Sequence, residues 1–216
     1  MKFSFQAFLF IIYLVGAYIN YKLVLTESIF IPYFISYFAA VPLFFIHIKK
    51  ILIRKYLFFL IGILFISILT IIFSPKLESG VLGDQLLSFS QLFLSLLSFL
   101  GVLFTLNQLH IEKVTRILFV FLCIILFGAF LERIFPFIGA ISDLFRNTVY
   151  DSGIYDSDKR DLSMVGFIRP KFLSREPSFV SHFIVLLTLF WYLISRSKFK
   201  FPIALFIIFI GILVTG

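Results

Sequence analysis

This 216-residue chain is 61% hydrophobic and only 14% charged, whereas a soluble globular domain carries roughly 25% charged residues. That composition excludes a soluble globule and implies an all-α polytopic membrane protein. The net charge of +8 invites a nucleic-acid partner, but its distribution along the chain reads as a membrane-orientation signal, so no nucleic acid is expected.

Crossing ~30 Å of hydrocarbon takes about 20 apolar residues, and seven transmembrane helices are expected, at about 3–19, 29–48, 56–73, 86–109, 117–135, 179–194 and 201–216. The first follows Lys2 and carries small residues at plausible cleavage positions, Val15-Gly16-Ala17, a signal-peptide-like pattern. With further spans behind it, it reads as an uncleaved signal anchor. His47 and His110 fall at span ends and read as interfacial. The fourth span carries Ser88, Gln91, Ser95, Ser98 and Thr105 on one helical face. Such a stripe points to close helix packing with interhelical hydrogen bonds, with a polar cavity lining as the alternative. Cys123 is the only cysteine; it excludes an intramolecular disulfide and reads as a small hydrophobe inside the fifth span. The 33 phenylalanines are read as lipid-facing bulk rather than stacking platforms.

Alternate loops are basic. Lys2, the group Lys49, Lys50, Arg54 and Lys55, the pair Lys113 and Arg116, and the group Arg196, Lys198 and Lys200 lie on one side of the predicted spans. The intervening loops balance acids against bases. Lys/Arg-rich short loops stay cytoplasmic, so the N-terminus is expected inside and the long 136–178 loop outside.

Within that loop Phe137, Ile138, Ile141, Leu144, Phe145 and Thr148 recur at helical spacing, which predicts a short interfacial helix. Tyr150 to Asp161 reads as a solvated, turn-rich stretch. Its four aspartates do not follow the alternate-ligand spacing of an EF-hand calcium loop. The final segment, 201–216, is still apolar where it ends, and the chain is therefore read as part of a longer protein.

The loop runs into the sixth span through Arg169-Pro170-Lys171-Phe172-Leu173-Ser174-Arg175-Glu176-Pro177-Ser178. Serine favours the cap and proline the first turn, so this is a helix start. Free N–H groups and the positive end of the helix dipole favour an anion there. Arg169, Lys171 and Arg175 add charge suited to a diphosphate, for which arginine offers forked hydrogen bonds. If the helix already includes residue 175, then Arg175, Ser178 and His182 share one face and Glu176 points toward Phe179 and Phe183. His182, inside the span, is either a buried hydrogen-bonded histidine or a catalytic one. The bland alternative for the whole segment is contact with lipid headgroups.

The pattern Arg169-x6-Glu176-Pro177-Ser178, opening a span after a long loop and followed by a short basic loop, resembles the O-antigen polymerase and ligase superfamily. Members typically show an arginine, often a glycine three residues later, and then Glu-Pro before a helix; here Phe172 stands at the glycine position. The resemblance implies the N-terminal part of a GT-C-like membrane glycosyltransferase in a bacterial inner membrane. It implies polymerisation of undecaprenyl-diphosphate-linked glycan repeat units for O-antigen, capsule or exopolysaccharide, with membrane lipid and other polysaccharide-assembly proteins, such as a flippase and a chain-length regulator, as partners. Combined with the charge and helix-phase reading above, this gives Arg169, Lys171, Arg175 and Ser178 as the expected diphosphate residues, and Glu176 and His182 as the catalytic candidates. Neither a metal nor another cofactor is expected. The competing readings are a transporter or flippase of lipid-linked sugars, which could use the same cationic mouth, and an inactive remnant of a polymerase.

Overall fold

A computed structural model describes residues 4–24, 30–51, 54–73, 79–150 and 158–216. The described residues form nine helices and one short hairpin. In chain order they are α1 (Phe5–Ile19), β1 (Leu23–Val24), β2 (Phe30–Ile31), α2 (Phe34–Ile51), α3 (Arg54–Ile72), α4 (Ser79–Gln108), α5 (Ile111–Ile134), α6 (Pro136–Val149), α7 (Asp158–Val165), α8 (Pro177–Ile194) and α9 (Lys200–Thr215).

Phe34–Ile51, Leu87–Gln108, Ile111–Ile134 and Pro177–Ile194 are long and apolar enough to cross a membrane, while Phe5–Ile19, Ile61–Thr70 and Lys200–Thr215 are apolar but shorter. Each expected span thus falls on a helix, with shifted ends. The second begins at Phe34 rather than 29, because Phe30–Ile31 pairs antiparallel with Leu23–Val24. The fifth begins at Ile111 rather than 117, where Glu112 in the first turn complements the helix dipole. Large apolar side chains stay exposed along these helices, among them Phe38, Phe127, Leu193 and Phe206, as a lipid-facing surface requires.

The chain divides into two compact units, one comprising residues up to Ala17 and Lys22–Gln108, the other Tyr18–Tyr21 and Leu109–Gly216. In the first, α2 lies along α4. Ala39 and Ala40 are fully buried, and a Cβ on Gly101 would sit 2.7 Å from the Ala40 carbonyl oxygen and from the Phe44 nitrogen, so the small residues set how closely the helices approach. Phe44, Ile51 and Leu100 form the core of this seam. The α4 polar stripe follows the packing alternative: Gln91 donates to the Phe30 carbonyl at 3.1 Å, Ser95 meets the Tyr37 hydroxyl at 2.9 Å, and Thr105 meets His47 at 3.1 Å. His47, near the end of α2, turns inward to α4. It is 2% exposed, because its ring finds a partner in α4 that the solvent edge would otherwise have to supply.

In the second unit α5, α8 and α9 pack on one another. Each offers a stripe at spacings of three and four: Val114, Leu118, Leu122, Ile125 and Ala129 on α5, and Val180, Ile184, Leu187 and Trp191 on α8. α9 adds Ala204, Ile207, Gly211 and Val214. The expected short helix is α6, opened by Pro136 at its first turn. It is turned inside out relative to a soluble amphipathic helix: Ser142 and Arg146 are buried while Phe137, Ile141 and Leu144 are exposed. The stretch expected to be solvated turns is partly different. Residues 151–157 lie outside the described residues, but Asp158 to Asp161 open α7, and Asp161 is buried.

Candidate functional site

The Arg169–Ser178 segment is organised around a backbone turn. Phe172 and Leu173 both have positive φ, +29° and +63°, a region that side chains with a Cβ enter at a cost. Four side chains from elsewhere in the second unit hold it there. Glu132, at the end of α5, accepts the Lys171 N–H at 3.1 Å through one carboxylate oxygen and the Phe172 N–H through the other. Ser142 of α6 accepts the Leu173 N–H at 3.0 Å. Tyr18 donates its hydroxyl to the Phe172 carbonyl at 2.7 Å. Tyr150 shares its hydroxyl between the carbonyls of Leu173, at 2.9 Å, and Ile19. The turn closes on itself through the Ser174 N–H to the Lys171 carbonyl, 2.8 Å.

Packing fixes the same atoms from below. The Phe172 ring lies directly on Gly128 of α5, where any Cβ would collide with it. Tyr18 stands edge-on to Phe121 of α5 and Phe183 of α8, with ring centroids 6.1 Å and 5.4 Å apart. Burial pushes the Tyr150 phenol up to about 12, against the opposing pull of Arg175 and Arg146. It therefore stays protonated, and remains a donor to the turn, throughout the physiological range.

The cations expected at a diphosphate are arranged in two ways. Arg169 makes a forked pair with Asp161 of α7, through Nε and Nη2, both at 2.8 Å, and its backbone N–H reaches the other oxygen at 3.2 Å. Lys171 is 5% exposed, and its Nζ pairs with Asp158 at 3.0 Å. Asp158 and Asp161, three apart on α7, thus present two carboxylates to the two cations. Arg175 instead lies over the Tyr150 ring, with its Cζ 5.8 Å from the centroid. Arg146 is buried, with its guanidinium 2.5 Å from Asp143.

The helix start differs from the expected one. Ser174 does not cap α8. Glu176, in extended conformation, takes the cap position, Pro177 is the first helical residue, and no side chain bonds the cap. Ser174 is drawn away because its hydroxyl donates to the Glu176 carbonyl at 2.8 Å. Residue 175 is therefore outside the helix, and the shared face of Arg175, Ser178 and His182 does not form. Ser178 is instead joined to Glu176, donating to its carboxylate at 3.1 Å. This pair sits on the positive end of α8, so a carboxylate already complements the dipole there. Glu176, Ser178 and His182 are all exposed. The buried alternative for His182 is thus corrected; its turn of α8 faces outward, away from the stripe of Val180, Ile184 and Leu187.

Sequence reasoning missed Glu132, Ser142, Tyr18 and Tyr150. Glu132 carried a faint signal, an acid at the very end of an apolar run, but its partners lie about forty residues on. Among the described residues no group of three or more His, Cys, Asp or Glu side chains could hold a metal ion. Comparison with protein-family models, curated proteins and solved structures finds no match.

Proposed function

We propose that the chain belongs to a membrane glycosyltransferase that polymerises undecaprenyl-diphosphate-linked repeat units of a bacterial surface polysaccharide. In this reading it crosses the membrane seven times with its N-terminus inside, and the turn faces outward. The observation that carries the reading is the backbone at Phe172. It adopts a left-handed conformation, which glycine enters most easily, at the position where the resembled family often has glycine between its arginine and its Glu-Pro. The inverted amphipathicity of α6, apolar face outward, supports a site lying at a lipid boundary.

The reaction transfers a glycan from one lipid diphosphate to a sugar hydroxyl. The acceptor oxygen bonds to the anomeric carbon, the bond from that carbon to the phosphate oxygen breaks, and undecaprenyl diphosphate leaves with the electron pair. The acceptor proton passes to a base. Charge on the departing diphosphate is stabilised by preorganised cations. Arg169 and Arg175 flank the turn and serve that role, while buried Lys171 contributes by holding α7 through Asp158. Glu176, exposed beside Ser178 at the start of α8, is the carboxylate available to orient or deprotonate the acceptor. His182, outward on α8, contacts the lipid portion or solvent rather than the reacting atoms.

The test is complementation of a polymerase-deficient strain by the full-length gene. Arg169→Ala is expected to abolish polymerisation. The double variant Arg169→Ala/Asp161→Ala, which removes the buried partner as well, should recover membrane accumulation without recovering polymer. Normal polymer from either variant overturns the assignment. Transport of lipid-linked units without chain growth by the wild type would support the flippase reading instead.

A further inference from the structure

A pocket lies at the other end of the second unit from the turn. Glu112 and Glu132 are 20 residues apart on α5, a rise of about 30 Å, which is close to the ~30 Å hydrocarbon thickness of a bilayer. The start of α5, the end of α8 and the start of α9 meet around a pocket of about 380 Å³. Its floor is aromatic: Phe119 and Trp191 lie with ring centroids 5.1 Å apart, tilted by 36°, and Trp191 is buried. Its rim carries Arg116 and Arg196, together with Glu112, while Ser195 beneath them is buried and accepts the Ser197 N–H at 3.3 Å. Lys113, Lys198 and Lys200 neighbour it in sequence.

We propose that this pocket binds an anionic phospholipid. The two arginines take the phosphodiester, and the upper acyl chain lies on Phe119 and Trp191. Charge, lining and depth favour this occupant together. An apolar floor beneath a cationic rim, at the end of membrane-length helices, fits an amphiphile better than a soluble anion. The basic surroundings suit an anionic headgroup such as phosphatidylglycerol, Glu112 opposes the rim arginines, and the apolar floor favours a lipid over a soluble phosphate.

The experiment measures lipid retention by native mass spectrometry on the full chain in detergent, with phosphatidylglycerol, phosphatidylcholine and inorganic phosphate as probes. Phosphatidylglycerol should be retained in preference to phosphatidylcholine, and millimolar phosphate should not displace it. Arg116→Gln and Arg196→Gln should each weaken its retention about fivefold, and Glu112→Gln should strengthen it. The last variant guards against misfolding, since a damaged pocket does not gain affinity. Equal retention of both lipids, displacement by phosphate, or unchanged retention in the Arg116→Gln/Arg196→Gln double variant overturns the proposal.

Discussion

Along the α2–α4 seam of the first unit the buried polar side chains are the hydroxyls of Ser98 and Thr105 and the His47 imidazole. Among the described residues the second unit also has hydroxyls bonded back to their own helices, such as Thr188 and Thr215, but where α5 ends and α8 begins it adds buried Asp161, Lys171 and Arg146 and the phenols of Tyr18 and Tyr150. The first set bonds side chain to side chain, or back to its own helix, as Thr105 does to the Gly101 carbonyl at 2.7 Å. It joins helices that are already regular. The second set bonds mostly to backbone of a segment with no regular structure, and it imposes two positive φ values in a row. One arrangement glues two helices together; the other shapes a loop. A loop held in a costly conformation by four separate side chains is the kind of investment associated with a functional site.

Breaking the charged set should have the largest consequences. Arg169→Ala leaves Asp161, which is 1% exposed, without its forked partner, and should destabilise the second unit by about 3 kcal/mol. Thermal unfolding in detergent measures this, and Asp161→Ala on the same background should restore much of the loss. Gly101→Leu tests the opposite set. It forces a side chain into the Ala40 and Phe44 backbone, at a cost of about 1–3 kcal/mol. Hydrogen exchange should place that loss in α2 and α4 rather than in residues 169–176.

Glu132→Gln sharpens the contrast further. An amide has one neutral acceptor oxygen where the carboxylate has two, so one backbone N–H of Lys171 or Phe172 loses its acceptor and the other keeps an uncharged one, a cost of about 2 kcal/mol. Faster exchange at those two amides is the expected signature. Comparing Phe172→Gly with Phe172→Ala isolates the backbone itself, since both remove the ring. Glycine should be the more stable by about 1 kcal/mol; equal stability would mean the left-handed turn carries no strain. Ser98→Ala should have the smallest effect. The Ser98 hydroxyl is buried with no hydrogen-bond partner among the described residues, so its removal should be neutral or slightly stabilising.

The regular part of the fold was legible because it follows from local rules. Apolar runs located the long helices, and the Ser88–Thr105 spacing placed a polar face on α4 before its partners were known. The phase of Phe137, Ile141 and Leu144 located α6. What escaped depends on contacts distant in sequence. Asp158 and Asp161 looked like part of a polar loop because an eight-residue charged helix has little stability of its own; α7 is held by its pairs with Lys171 and Arg169. The place of His47 at a span end was legible, but nothing local announces its partner Thr105, 58 residues away. The Arg169–Ser178 segment was found from its charges and its Pro. Its conformation was not, because Glu132, Ser142, Tyr18 and Tyr150 impose it from four separate places along the chain.

Trp191 has an optical consequence. It is the only tryptophan in the chain, and it lies buried on the floor of the pocket formed by the ends of α5 and α8, stacked near Phe119. Light absorbed at the red edge of the protein's spectrum therefore comes back almost entirely from that one position. Its emission colour and its accessibility to quenchers report local polarity there without any label, while the thirty-three phenylalanines and nine tyrosines remain dark at that wavelength.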